Sequence, residues 1–256
     1  MKKARRIWAM VCLGVLTGCA TAPVEDHFEK DPDYLYALGH QQMQQGQYRQ
    51  AINTFESLHS QYPFSKDAQK GMVDLIYVYY QDNQPDMALA LAQQFTSNFP
   101  TSDQIGYVYY MKGVVNFENG RGFLQRHLKY DMDQHDPSAY KTAFNQFKKA
   151  IKADPNANYV DDAHLRMIYL YNTIAQYYYN IAKFYYDRQA YVAAADRARQ
   201  VVLHYPKSSV RQQALQLLAN AYQQLGLPAF ADNVNTVLKL NLPEEKPSQS
   251  SSEVNS

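Results

Sequence analysis

The sequence of residues 39–63 is GHQQMQQGQYRQAINTFESLHSQYP, and its pattern is the strongest indication of the fold. Small side chains at Gly39 and Ala51 let two helices approach closely, because the distance between packed helices depends on the side chains at the contact. The aromatic ring of Phe55 fills the layer behind them. Pro63 ends the second helix, because proline cannot continue the helical hydrogen bonding. This stretch therefore predicts one helical hairpin.

The same arrangement recurs four times further along the chain. Each copy combines small residues, an aromatic and a proline stop: Ala88, Phe95 and Pro100; Ala143, Phe147, Ala150 and Pro155; Ala182, Tyr185, Ala194 and Pro206; Ala219, Tyr222, Gly226, Ala231 and Pro243. Helical hairpins that repeat at about 34 residues are typical of the tetratricopeptide (TPR) repeat. We predict an all-α fold over residues 32–241, a right-handed superhelical solenoid of about five TPR hairpins.

The spacing of the repeats is uneven. The proline stops lie 37 residues apart at both ends of the series and 55 and 51 residues apart in the middle, at Pro63, Pro100, Pro155, Pro206 and Pro243. The first excess predicts a long connection over Gly120–Pro137. The second predicts one helix over 159–187, extended by about four turns, because that stretch contains no Gly or Pro. We therefore expect the third and fourth repeats to be irregular.

The N-terminal residues have the layout of a secretory signal, with a basic start, an apolar run over 7–16 and small residues after it. The junction Leu16-Thr17-Gly18-Cys19 resembles the bacterial lipobox. It predicts a signal peptide at 1–18 and lipidation of Cys19 by a diacylglycerol and an N-acyl chain (palmitate), followed by a linker at 19–31. Ala20, in place of Asp, implies sorting to the outer membrane. Several acyl chains on one cysteine supply stable membrane anchoring.

Charge and cysteine content argue against nucleic-acid binding and against a disulfide bond. The chain has 25 Lys+Arg and 24 Asp+Glu, and removal of residues 1–18 changes the net charge from +1 to −3. A chain without basic excess is not expected to bind nucleic acid. Cys12 leaves with the signal peptide and Cys19 carries lipid, so no disulfide is expected. The polar, serine-rich residues 242–256 predict a disordered tail.

Motifs for catalysis or metal binding are not found in the sequence. Seven histidines are scattered along it, and no two are spaced four apart. A calcium loop starting at Asp131 fails, because Asp136 stands where glycine is needed and Thr142 where glutamate is needed. Gly120-Arg121-Gly122 lacks the third glycine of a dinucleotide fingerprint. We therefore predict a protein that is not an enzyme and has no metal site and no catalytic residues.

Tyrosine is unusually frequent, with 23 copies. Many cluster on the first helices of the predicted repeats, at Tyr77, Tyr79 and Tyr80; Tyr107, Tyr109 and Tyr110; Tyr177, Tyr178 and Tyr179; and Tyr185 and Tyr186. Neighbouring residues on a helix point about 100° apart, so a cluster cannot be wholly buried. One or two tyrosines of each cluster are expected to pack between helices. The others could present rigid apolar faces with a hydroxyl group to an extended peptide.

Beyond the repeat, several segments resemble the BamD (ComL/YfiO) family over about residues 32–241. They are Tyr62-Pro-Phe-Ser, Asp74-Leu-Ile-Tyr77-x-Tyr79-Tyr80, Phe99-Pro-Thr, Tyr107-Val-Tyr109-Tyr110-Met-x-Gly113, Phe144-x-x-Phe147 ahead of Asn156-x-x-Tyr159, Ala182-x-x-Tyr185-Tyr186 and Tyr191-x-Ala193-Ala194. The resemblance implies a lipoprotein of the outer-membrane β-barrel assembly machine that faces the periplasm. It also implies two irregular middle repeats, where the long proline spacings fall.

The resemblance implies partners and sites as well. The partners are a periplasmic POTRA domain of BamA, other Bam lipoproteins and unfolded outer-membrane proteins, whose C-terminal signal ends in an aromatic residue. The N-terminal repeats would bind that signal through Tyr62, Phe64, Tyr77, Tyr80, Tyr107 and Tyr110. Arg197 matches a family arginine associated with the POTRA contact, although a solvated helix residue is an equal interpretation. The alternative function is a TPR pilotin lipoprotein for a type IV pilus secretin, which the uneven repeat spacing disfavours.

Overall fold

A computed structural model describes residues 31–127 and 137–240. The predicted signal peptide, the lipidated Cys19, most of the linker at 19–31 and the tail at 242–256 lie outside the described residues. Within them the structure has ten helices and no strand: α1 Pro32–Gln44, α2 Tyr48–Gln61, α3 Lys66–Gln81, α4 Pro85–Asn98, α5 Ile105–His127, α6 Ser138–Ala153, α7 Val160–Asp187, α8 Tyr191–His204, α9 Arg211–Gln224 and α10 Pro228–Leu240.

The helices pack as five successive hairpins. Each odd-numbered helix packs against the even-numbered helix that follows it, and each even-numbered helix packs against the next odd-numbered one. First helices of adjacent hairpins also touch, α1 with α3, α3 with α5 and α7 with α9. This arrangement confirms the predicted all-α TPR solenoid of five hairpins.

Small residues and aromatic rings meet in the core where the sequence predicted. A Cβ atom placed on Gly39 would lie 2.7 Å from Cε1 of Phe55, and one placed on Gly113 would lie 2.6 Å from Cε1 of Phe147. Phe55, Phe95 and Phe147 are at most 1% exposed. In the first and third hairpins, glycine is therefore needed for the close approach of the first helix to the aromatic residue of the second.

Both irregular repeats have long first helices, with 23 residues in α5 and 28 in α7. Helix α7 has 28 residues, about twice the length of the 14-residue α8 that pairs with it, which confirms the predicted extension. The connection predicted to start at Gly120 begins later, because α5 continues through Gly120 and Gly122 to His127. A glycine inside a helix costs only about 1 kcal/mol and leaves the backbone hydrogen bonds intact. The rest of that predicted connection, 128–136, lies outside the described residues.

The turns within four hairpins need one residue in the left-handed conformation. Gly46 and Gly226 have φ angles of 71° and 70°, as expected for residues without a Cβ atom. Asn83 and Gln189 occupy the equivalent turns with φ angles of 59° and 60°. Asparagine tolerates this conformation well, whereas glutamine at the α7–α8 turn does so at a steric cost.

Candidate functional site

Tyrosines from three first helices meet on the surface formed by α3, α5 and the start of α7. We call Tyr77, Tyr107, Tyr110 and Tyr159 the tyrosine row. Tyr107 and Tyr110 are three residues apart and therefore share one side of α5, with ring centroids 6.1 Å apart. Tyr159, directly before α7, is 6.1 Å from Tyr107 and stacks on Tyr110 at 4.9 Å. The row joins three hairpins of the solenoid.

Tyr110 is held in place by polar contacts as well as by stacking. Its hydroxyl group donates a hydrogen bond to Oδ2 of Asp162 over 2.8 Å. The same carboxylate oxygen accepts a hydrogen bond from Nε of Arg166 at 2.6 Å, and the Arg166 guanidinium lies 3.9 Å from Glu118. Burial, together with the hydrogen bond and charge of Asp162, raises the pKa of Tyr110 to about 12. The hydroxyl therefore stays protonated and links α5 to α7.

Tyr107 and Tyr77 form the half-buried centre of the row. Burial raises the pKa of Tyr107, and the nearby Asp74, Tyr77 and Tyr110 raise it further. Burial also raises the pKa of Tyr77, and the nearby Tyr48 raises it further. Both rings pack against the N-terminal core while part of each remains accessible. The row thus offers aromatic surface with protonated hydroxyl groups.

A polar cluster adjoins the row between α1 and α3. Nδ1 of His40 lies 3.2 Å from Oδ2 of Asp74, and the Tyr36 hydroxyl is near enough to the same carboxylate group to affect its pKa. The rings of Tyr36 and His40 stack at 5.8 Å, and the ammonium of Lys70 is 5.6 Å from the Tyr36 centroid. Burial raises the pKa of the Asp74 carboxyl, opposed by its contacts with His40 and Tyr36. The tyrosine row and this polar cluster therefore form one surface that is aromatic in its centre and polar toward α1.

The six residues predicted to bind the peptide signal lie in three different places. Of the six residues named, the structure brings Tyr77, Tyr107 and Tyr110 together. Tyr80 is half-buried and packs against the core of the N-terminal hairpins and against the core formed by α5, α6 and α7. Tyr62 and Phe64 lie at the α2–α3 turn instead, where Tyr62 packs on the core and Phe64 is 100% exposed.

Four residues of the site were not predicted: Tyr36, His40, Asp74 and Tyr159. Asp74 was recognisable as a single acidic residue in the otherwise apolar stretch Met72–Tyr80 of α3. An acidic residue inside an apolar helix segment needs a polar partner. Its partner is on another helix, so the pairing with His40 could not be read from the sequence.

Arg197 lies on α8, far along the chain from the row. It is half-buried. Its neighbour Asp196 pairs instead with Arg199, at 2.9 Å. Within residues 31–127 and 137–240 no ion pair or hydrogen bond of the Arg197 side chain is formed. Its guanidinium is thus available for an acidic partner, and its role in partner binding stays a prediction.

Two other properties of the described residues bear on function. They contain no group of three or more His, Cys, Asp or Glu side chains placed to hold a metal ion. Among the helices that the structure describes, none is long and apolar enough to cross a membrane.

Comparison with known proteins identifies the family. The family model "YfiO: Outer membrane lipoprotein" matches residues 28–237. The outer membrane protein assembly factor BamD of Vibrio cholerae is 33% identical over 93% of this chain and 99% of its own length. BamD of Neisseria meningitidis serogroup A is 31% identical over 94% of this chain and 92% of its own length. Among solved structures, the type IV pilus biogenesis factor PilW aligns over 84% of this chain and 95% of its own length. The sequence identity is 16% and the TM-score is 0.36, so this likeness supports no functional argument. The chain therefore belongs to the BamD (YfiO) family of outer membrane lipoproteins.

Proposed function

We propose that this protein is a scaffold and substrate-recognition component of the outer-membrane β-barrel assembly machine. Its curated relatives are named outer membrane protein assembly factors, and we assign this chain the same role, without enzymatic activity. The observation that carries the proposal is the family match over residues 28–237, which takes in nearly the whole solenoid. In this role it faces the periplasm and is anchored to the outer membrane through lipid on Cys19.

The tyrosine row is the surface that we assign to unfolded outer-membrane proteins. An extended segment with an aromatic residue can pack on the half-buried rings of Tyr77 and Tyr107. Tyrosine suits this task because its rigid ring buries much area at a small entropic cost, while its hydroxyl remains a hydrogen-bond partner. The links from Tyr110 to Asp162 and from Asp74 to His40 hold these side chains in place before a peptide arrives. A preorganised surface loses less entropy on binding.

The second working surface is the C-terminal part of the solenoid. There Arg197 on α8 would form a bidentate contact with a carboxylate of a BamA POTRA domain, since its planar guanidinium matches carboxylate geometry. The lipid anchor would keep this surface at the membrane and raise its effective concentration near BamA. Other Bam lipoproteins complete the proposed set of partners.

The proposal for the row is tested by peptide binding. Tyr107→Leu should weaken binding of a synthetic C-terminal porin peptide ending in phenylalanine by about tenfold, the effect expected for losing one interface aromatic. The matched control is Tyr109→Leu on the same helix, because Tyr109 instead contacts the ammonium of Lys149 at 5.4 Å. Equal losses in the two variants, at unchanged melting temperatures, would exclude the row as the peptide site.

The pilotin alternative receives no support from the family match. The two functions differ in the partner that they require. A pilotin co-purifies with a secretin, whereas this protein should co-purify with BamA from detergent extracts.

A further inference from the structure

A separate cavity of about 330 Å³ lies where α6, α7 and the C-terminal end of α8 meet. Phe144, Tyr171 and Tyr205 form its aromatic walls, and Ile174 of α7 contributes aliphatic surface. Lys141 and His204 bring nitrogen atoms to the same cavity. None of these residues belongs to the tyrosine row or to the predicted partner site at Arg197.

The aromatic walls are fixed by their contacts with one another. The rings of Tyr171 and Tyr205 meet edge to face at 5.2 Å, and Phe144 lies 6.5 Å from Tyr171. Tyr178 stacks behind Tyr205 at 6.0 Å. The hydroxyl of Tyr171 accepts a hydrogen bond from the backbone N–H of Lys207 over 3.2 Å. The cavity is therefore formed in the absence of a ligand.

Lys141 brings an unbalanced positive charge to this cavity. Its ammonium group donates to the Tyr178 hydroxyl over 2.5 Å and lies 5.0 Å from the centroid of that ring. In the part of the chain that the structure describes, no carboxylate pairs with it. An ammonium group has three N–H donors, so two remain for an anion.

We propose that this cavity binds an extended segment of a partner protein in which a large apolar residue and an acidic residue are two positions apart. The apolar side chain enters between the aromatic walls, and the carboxylate pairs with Lys141. The volume is near the lower end of the range for ligand sites, about 300–1,000 Å³, which fits one side chain of a peptide.

The spacing in the peptide is chosen to match the spacing of Lys141 and Phe144 on α6. Lys141 and Phe144 are three residues apart on α6, so their Cβ atoms are about 5–6 Å apart. In an extended chain, adjacent side chains point to opposite faces, while residues two apart share a face at about 6.6 Å. An acidic residue directly next to the apolar one would therefore point away from Lys141.

Three capped peptides test the proposal on the full-length protein by NMR of the tyrosine ring resonances. They are acetyl-Thr-Phe-Ser-Glu-Thr-amide, the same peptide with Gln in place of Glu, and acetyl-Thr-Ser-Phe-Glu-Thr-amide. The first should shift the Tyr171 and Tyr205 signals at millimolar concentration and bind about tenfold more tightly than the other two. Equal binding of all three, or no shift with the first, would overturn the proposal. So would tighter binding of N-acetylphenylalanine, which would indicate a chain end as the occupant.

Two variants separate the charge of Lys141 from its packing. Lys141→Met keeps an aliphatic side chain and should remove the preference for Glu over Gln. The control Lys148→Met, an exposed lysine on the same helix, should keep the preference. Persistence of the preference in Lys141→Met would contradict the assignment. Because these peptides probe α6–α8, the result is independent of peptide binding at Tyr107.

Discussion

Gly113 offers the sharpest test of how the solenoid is packed. The ring that it contacts, Phe147, connects the core with the tyrosine row. In Gly113→Ala the new methyl carbon would lie 2.6, 2.7 and 3.0 Å from three ring carbons of Phe147, which is fully buried. Phe147 in turn touches Tyr110, with centroids 5.9 Å apart. The substitution must therefore displace a ring that has no free space, and the displacement reaches the row.

The magnitude follows from two opposing effects. Overpacking a core costs about 1–3 kcal/mol, and three close contacts place this site at the upper end. Replacing glycine by alanine inside a helix returns about 1 kcal/mol. The free energy of unfolding should fall by about 2 kcal/mol, which lowers the melting temperature of a chain of this size by about 4–8 °C. The control Asn119→Ala, at an exposed position on the same helix, should change stability by no more than about 0.5 kcal/mol.

A double-mutant cycle with Phe147→Leu identifies the cause. Leucine is smaller, so it should make room for the methyl group added at position 113. The double variant should then be more stable than the sum of the single effects by about 1 kcal/mol or more, as measured by urea unfolding. Additivity to within about 0.5 kcal/mol would refute the steric explanation.

Three further predictions concern other parts of the molecule. Gln189→Gly should raise the free energy of unfolding by about 1 kcal/mol, since it relieves the left-handed turn at φ 60°; a lower melting temperature would contradict this. Burial raises the pKa of Asp74 in the folded state, so the folded protein holds this proton more tightly than the unfolded chain does. The resulting contribution of Asp74 to stability is fully present below the unfolded pKa of about 3.9 and is lost as the pH rises through the folded pKa. Asp74→Asn should therefore show a smaller fall in stability between about pH 4 and 7 in urea titrations, and an unchanged pH profile would refute the assignment. Arg197→Glu should reduce recovery of BamA in a pull-down, whereas Arg197→Lys should retain part of it, and undiminished recovery of BamA with the glutamate variant would remove Arg197 from the interface.

The repeat could be read from the sequence because its determinants are local. The spacing of Gly39, Ala51 and Phe55 specifies one hairpin by itself, and the absence of Gly and Pro between 159 and 187 specifies the length of α7. The end of α5 could not be predicted in the same way. Gly120 lowers helix propensity without removing a hydrogen bond, so glycine alone does not end a helix there.

The candidate site was predictable only in part, because its contacts join distant helices. The clusters on α3 and α5 indicated Tyr77, Tyr107 and Tyr110. Which tyrosine of each cluster joins the tyrosine row depends on how neighbouring hairpins pack, so the places of Tyr80 and Tyr159 needed the structure. The turn at Gln189 has no glycine or proline signal and was likewise visible only in three dimensions.

Depletion of this protein in the organism that encodes it is the decisive test of its proposed role in the assembly of outer-membrane β-barrel proteins. The measurement is the amount of folded porin in the outer membrane, compared between depleted cells and cells complemented with the intact gene. We expect depletion to lower the amount of folded porin and complementation to restore it. Unchanged porin levels after depletion would contradict it.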